Sequence, residues 1–141
     1  MTLRNVAERL HSAAIHLLRR VRKQDEASGL SPSRLSALSV VVYGGPLPLS
    51  KLAEAEQVKP PTMTKLVQAL EREGMVTRET NPNDRRAFAI AATPEGRALM
   101  EAGRRRRLDA LAALLDHCSD DDVAVLSQAV TILEEALKRQ G

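Results

Sequence analysis

Aromatic residues are nearly absent: Tyr43 and Phe88 stand alone among 141 residues, with no tryptophan. A surface that stacks successive bases of single-stranded nucleic acid needs several rings. The sheet that reads RNA through stacked aromatics needs them too, so both are excluded. Hydrophobic residues still make up 43% of the chain, and the core must therefore be aliphatic. Cysteine occurs once, at Cys118. That rules out an intrachain disulfide and a cysteine-based zinc site, and it fits a reducing compartment. No run approaches the roughly 20 apolar residues of a membrane helix. Met1 to Arg9 has no apolar stretch behind its charges, so it does not read as a secretory signal. There is no glycine-rich phosphate loop, no Ser/His/Asp set in a credible context and no carboxylate pair in an apolar pocket. The chain reads as a cytosolic protein that is not an enzyme, with no cofactor and no metal.

The length suits one domain, or one compact unit with appended helices. The net charge of +3 conceals an asymmetry: residues 1–49 carry +4, residues 50–107 carry +4, and residues 108–141 carry −5. A polyanionic partner would meet the first three quarters of the chain.

Apolar residues at helical spacing predict a first helix over residues 3–25, through Val6, Leu10, Ala14, Leu17 and Val21. Ser31-Pro32 reads as an N-cap with proline at the first helical position, opening a second helix through Leu35, Leu38 and Val42 that stops at Gly44-Gly45-Pro46. Leu47-Pro48-Leu49 allows only an edge strand. Ser50 is expected to cap a short third helix, with a break near Gln57-Val58. Pro60-Pro61 opens a fourth helix whose buried stripe is Met63, Leu66, Val67 and Leu70, with Gly74 just past its end. Strands at 75–80 and 86–92 flank the turn Asn81-Pro82-Asn83-Asp84. Thr93-Pro94-Glu95 starts a fifth helix running towards His117, and the capping pair Ser119 and Asp122 opens a sixth through Val123, Leu126, Val130, Leu133 and Leu137. Helix, helix, short strand, paired helices, hairpin, helix, helix is a mainly α (α+β) fold: a winged helix-turn-helix lobe with flanking helices.

The fourth helix has the two faces that a DNA-reading helix requires. Beside its apolar stripe it offers Pro61, Thr62, Thr64, Lys65, Gln68 and Arg72. Glutamine can pair with an adenine edge, lysine can reach a guanine or a phosphate, and threonines near a helix start suit phosphates. An ordinary solvated helix face has the same pattern. The hairpin decides between them. A turn of Asn, Pro, Asn and Asp needs only local chemistry, and the adjacent Arg85 and Arg86 add nothing to it. An arginine on a projecting hairpin can enter a narrow minor groove, and Asp84 can hold one of the two in place.

With these residues in view, residues of about 30–100 resemble the MarR family of bacterial transcriptional regulators. The resemblance rests on "LSPSRLSAL", "PLPLSKLAE" and "PPTMTKLVQALEREGMVTRETNPNDRRAFAIAATPEGRAL". Its most specific parts are the run from Leu70 to Arg78, Asp84-Arg85-Arg86, and Thr93-Pro94-Glu95-Gly96. It implies a homodimer on pseudo-palindromic double-stranded DNA. Residues 1–29 and 94–141 would dimerise, and residues 30–93 would form the DNA-binding lobe. It places Thr62, Thr64, Lys65 and Gln68 in or beside the major groove and Arg86 in the minor groove. It further implies a repressor, released by a small lipophilic or anionic effector, working in the bacterial cytoplasm and on the nucleoid when bound. A protein-interaction or architectural module without an effector is the alternative; the positive charge of Lys65, Arg72, Arg85 and Arg86 on helix and wing favours DNA. The chain departs from the family in having Glu56-Gln57 where glycine is usual, Lys59 where a small capping residue is common, and Pro60 before Pro61.

Other residues invite roles. Arg104 to Arg107 fill a full helical turn, which can meet phosphate, line an anion pocket or lie over a dimer surface. At least one of them must face inward, where a buried acidic partner is expected. Peroxide-sensing relatives carry a cysteine near the N-terminus, which is missing here. Cys118 reads as packing, and His11 and His16, five apart, fall on different helix faces.

Overall fold

The computed structural model describes residues 1–81 and 83–141, positions 81 and 84–87 by their backbone alone. Six helices and three strands follow in order: α1 (Leu3–Lys23), a 3₁₀ turn (Gln24–Ser28), α2 (Pro32–Gly44), β1 (Leu47–Pro48), α3 (Leu49–Glu56), α4 (Pro60–Arg72), β2 (Val76–Asn81), β3 (Asp84–Ala92), α5 (Pro94–Leu114) and α6 (Asp120–Gln140). The strands form one antiparallel sheet in the order β1-β3-β2. The winged helix-turn-helix expected from the sequence is present.

Capping chemistry sets most of the helix starts. The Ser31 hydroxyl accepts from Arg34 N at 3.3 Å and Thr93 from Gly96 N at 3.0 Å, each ahead of a proline that has no amide to lose. Ser119 and Asp122 cap each other's amides at 3.1 and 3.2 Å. Ser50 differs from expectation. α3 begins two residues earlier than a Ser50 cap would set it, at Leu49, because Pro48 is extended and paired with Ala89 in the sheet; Ser50 lies within the first turn and caps nothing. β3 starts at Asp84 and not at 86, and α5 ends at Leu114, short of His117.

The core lies between α2, α3, α4 and the sheet. Leu38, Val41, Leu52, Met63, Val67, Leu70 and Ile90 have no exposed surface. Each such side chain contributes about 2–3 kcal/mol of transfer free energy. Met63, Val67 and Leu70 confirm the stripe expected for α4, with Leu66 partly buried. In α2, Ala37 and Val41 are buried beside Leu38, while Leu35 and Val42 are only partly covered. α2 touches α3, α4, α5 and β3, so its buried arc is too wide to follow one stripe.

Between α3 and α4 the chain turns without glycine. Gln57 adopts the left-handed region, φ 56° and ψ 40°. Val58 N donates to Ala53 O at 3.0 Å and Gln57 N to Glu54 O at 3.1 Å, the reciprocal pair of a helix-ending Schellman motif. A β-carbon in that region costs about 1 kcal/mol. Gln57→Gly is therefore expected to raise stability by about 1 kcal/mol, read as a higher guanidinium midpoint at unchanged slope. An unchanged midpoint would show that the glutamine carries no strain.

α1 and α6 differ from the rest, for neither buries a single residue against its own chain. No helix among the described residues is long and apolar enough to cross a membrane.

Candidate nucleic-acid interface

α4 is 13 residues long, about 20 Å at the α-helical rise. With Met63, Val67 and Leu70 turned into the core, the 3.6-residue period places Pro61, Lys65, Gln68 and Arg72 in one row on the opposite side. All four are exposed. Among the described residues nothing pairs with the Lys65, Gln68 or Arg72 side chains, whereas the nearby Arg34 and Arg78 are held by Glu73 and Glu71. The row thus offers two cations and an amide, all free to bond outward, on a helix narrow enough for a major groove.

The start of α4 works differently from an ordinary anion-binding helix end. Pro60 and Pro61 have no amide protons. The next two amides, of Thr62 and Met63, both donate to Lys59 O at 3.0 and 3.1 Å. The Thr64 hydroxyl donates back to Pro60 O at 3.0 Å. A phosphate arriving here finds no free amide and meets the exposed Lys59 and Thr62 side chains. Lys59 occupies the N-cap position without capping through its side chain, which leaves its ammonium group for a phosphate.

The hairpin follows directly on α4. Gly74, at φ 75°, ends the helix, and Met75 N returns to Leu70 O at 2.9 Å. The β2–β3 register runs evenly from Val76↔Ala92 to Thr80↔Phe88 and then shifts to Asn81↔Asp84. Residues 85–87 fall between these last two pairs, on the β3 side. Asp84, Arg85 and Arg86 thus begin β3 at the outer end of the hairpin. Their side chains lie outside the described residues, and so does the expected Asp84–arginine pair.

The four consecutive arginines of α5, Arg104 to Arg107, divide. Arg107 Nη1 reaches Asp25 Oδ1 at 2.9 Å, both side chains about three-quarters covered, and Arg106 Nε donates to Gln24 O at 3.3 Å. One inward arginine with an acidic partner was expected; the partner stands 82 positions away. Arg104 and Arg105 are exposed. Beside the Arg107–Asp25 pair, a cleft of about 680 Å³ opens between the end of α1, the 3₁₀ turn, α2 and α5. Leu30, Pro32, Leu35 and Met100 form its apolar wall, with Arg22, Glu26, Ser36, Ser39 and Tyr43 around them.

The chain is 32% identical over 132 residues to an uncharacterised HTH-type transcriptional regulator of Mycobacterium leprae, an alignment covering 94% of this chain and 92% of that protein. A transcriptional regulator from Thermotoga maritima superposes on 97% of this chain and 96% of its own with a TM-score of 0.85 at 23% identity, which speaks to the fold. A MarR family protein from Bacillus stearothermophilus does so over 98% and 99% with a TM-score of 0.79 at 26% identity. Residues 30–88, which run from the loop before α2 to the middle of β3, match the MarR family model, and with the full-length relatives this shows that the chain belongs to the MarR family, as a DNA-binding transcription regulator and not an enzyme.

Proposed function

We propose that the protein acts as a homodimer on a pseudo-palindromic operator, represses transcription by occupying it, and leaves it when a small lipophilic or anionic molecule binds. Its place of work is the bacterial cytoplasm, on the nucleoid when bound. The observation that carries DNA reading is the free row Lys65, Gln68 and Arg72 opposite the buried stripe of α4. Residues 30–93 form the reading lobe, and residues 1–29 and 94–141 the dimerising parts. In the dimer the two α4 helices stand about 34 Å apart, one turn of duplex. Lys65 and Thr62 meet phosphate or base edges, Gln68 an adenine edge, and the hairpin inserts Arg86 into the flanking minor groove with Arg85 beside it.

The cleft beside Arg107 supports the effector part of the proposal. It lies where α1 and α5 meet α2, so a molecule filling it changes how the lobe sits on the flanking helices. Its apolar wall suits a lipophilic body, and Arg22 at its edge suits an anionic group.

Selection of duplexes from a random library tests base reading. Gln68→Ala is expected to lose preference at one position in each half-site, a change worth about 1–3 kcal/mol against the wrong base. Identical preferences for variant and wild type overturn Gln68 as a reader. Salt separates DNA binding from a protein-interaction module: the logarithm of affinity should fall with that of salt by about 0.9 per phosphate neutralised. A flat salt response would favour the protein partner.

A further inference from the structure

We propose that Arg78 is a positioning residue that fixes the angle between α4 and the hairpin, so that helix and wing engage one duplex as a unit. The proposal rests on the reading in which both elements meet DNA.

The hairpin is well anchored at its root. Thr93 N donates to Met75 O at 3.0 Å and the Thr93 hydroxyl to Gly74 O at 2.6 Å, and Val76 and Ile90 are buried. Farther out, residues 77–80 are exposed, and a two-stranded ribbon leaving the core is a poor lever unless something braces it. Arg78 lies on the same strand face as Val76, two residues beyond it. Its Nε donates to Glu71 Oε1 at 3.0 Å, in the last turn of α4. Its guanidinium carbon stands 4.7 Å from the centroid of the Phe88 ring on β3, the diagonal neighbour across the sheet. One side chain therefore touches α4, β2 and β3.

An exposed ion pair contributes little, because two flexible side chains must be ordered to form it. Here the ring already orients the guanidinium plane, and only 37% of the Arg78 and 31% of the Glu71 side chain remain exposed. The bridge joins the last turn of the reading helix to the middle of the arm, beyond its root, where it can resist a change of angle at the root that would displace the hairpin end.

Arg78 could instead bind a phosphate directly, and Glu71 separates the two roles. Glu71→Gln removes a negative charge near DNA, which alone strengthens binding. If Arg78 acts by positioning, the same substitution weakens it. On a duplex selected by the wild-type protein, hydroxyl-radical cleavage reads the minor groove and dimethyl sulfate reads guanine N7 in the major groove. Arg78→Ala and Glu71→Gln are each expected to lose flanking minor-groove protection, to keep guanine protection, and to bind about three- to tenfold more weakly. Wild-type flanking protection and unweakened affinity in Glu71→Gln overturn the proposal, and weakened Arg78→Ala beside such a Glu71→Gln assigns Arg78 to phosphate. Should Arg78→Ala fail to fold, the near-isosteric Glu71→Gln decides. Arg86→Ala, run alongside, tests the wing reading separately. If it keeps flanking protection that Glu71→Gln loses, Arg86 is not the probe but the positioning role stands.

Discussion

Replacing Leu126 and Leu133 together by aspartate is expected to give a folded monomer that has lost operator binding by about 10³-fold. Of the large apolar side chains of α6, seven are exposed, from Val123 to Leu137, and none is buried. α1 exposes six more, from Leu3 to Leu18. An apolar surface of this extent on two terminal helices marks an interaction face. Val123, Leu126, Val130, Leu133 and Leu137 share one side of α6 at three- and four-residue steps. Leu126 and Leu133, 39% and 37% exposed, are the least exposed of the large apolar residues there and lie at the middle of that side. A carboxylate at each would have to be desolvated without a partner, which costs several kcal/mol. The helix itself should survive. Its capping box, three aspartates in the first turn, and Lys138 and Arg139 in the last turn complement its dipole. The effect on DNA follows from linkage: two half-sites held together bind about 10²–10⁴-fold more tightly than one. Sedimentation equilibrium reads the mass and fluorescence anisotropy the affinity. A double variant that remains dimeric, or a monomer that binds the full operator normally, would refute this reading of α6.

Much of the architecture was legible because it rests on local chemistry. Ser31-Pro32, Thr93-Pro94 and the Ser119–Asp122 pair announce helices through hydrogen bonds that span three residues. The stripe of α4 was legible because one side only is buried, and the row through Lys65, Gln68 and Arg72 follows from the same period. What stayed hidden depends on distant partners. Val40, Val41 and Val42 are alike in sequence, and only the four elements around α2 select Val41 for full burial. Ser50 looked like a cap because pairing of Pro48 with Ala89 cannot be read from either segment alone. Four consecutive arginines required an inward one, but not Arg107, and not Asp25 as its partner. Arg78 was visible as part of a motif; its meaning comes from Glu71 and Phe88, which reach it only after the hairpin folds.

Gly96→Ala is expected to destabilise the protein by about 3 kcal/mol, at the upper end for one added methyl group. Backbone freedom is not the reason, for Gly96 sits in the first turn of α5 as an ordinary helical residue. The obstacle is contact. A β-carbon there would collide with the Met75 carbonyl oxygen and stand 3.1 Å from its carbon and 3.2 Å from Leu38 Cδ1. The carbonyl cannot swing aside cheaply, because it accepts from Thr93 N at 3.0 Å and belongs to the turn by which α4 becomes β2. Either α5 lifts off α2, uncovering Leu38, or the root of the hairpin moves. Both outcomes are measurable: urea unfolding gives the loss of stability, and anisotropy below the unfolding range gives the loss of DNA affinity. Gly44→Ala is the control, since a β-carbon at the end of α2 meets nothing within 4 Å, and it should change stability by less than about 1 kcal/mol. A loss below about 0.5 kcal/mol for Gly96→Ala would mean that α5 slides freely on the lobe. A larger loss of DNA affinity than of stability would mean that it is the hairpin that yields, tying the packing of this one glycine to the placement of the wing.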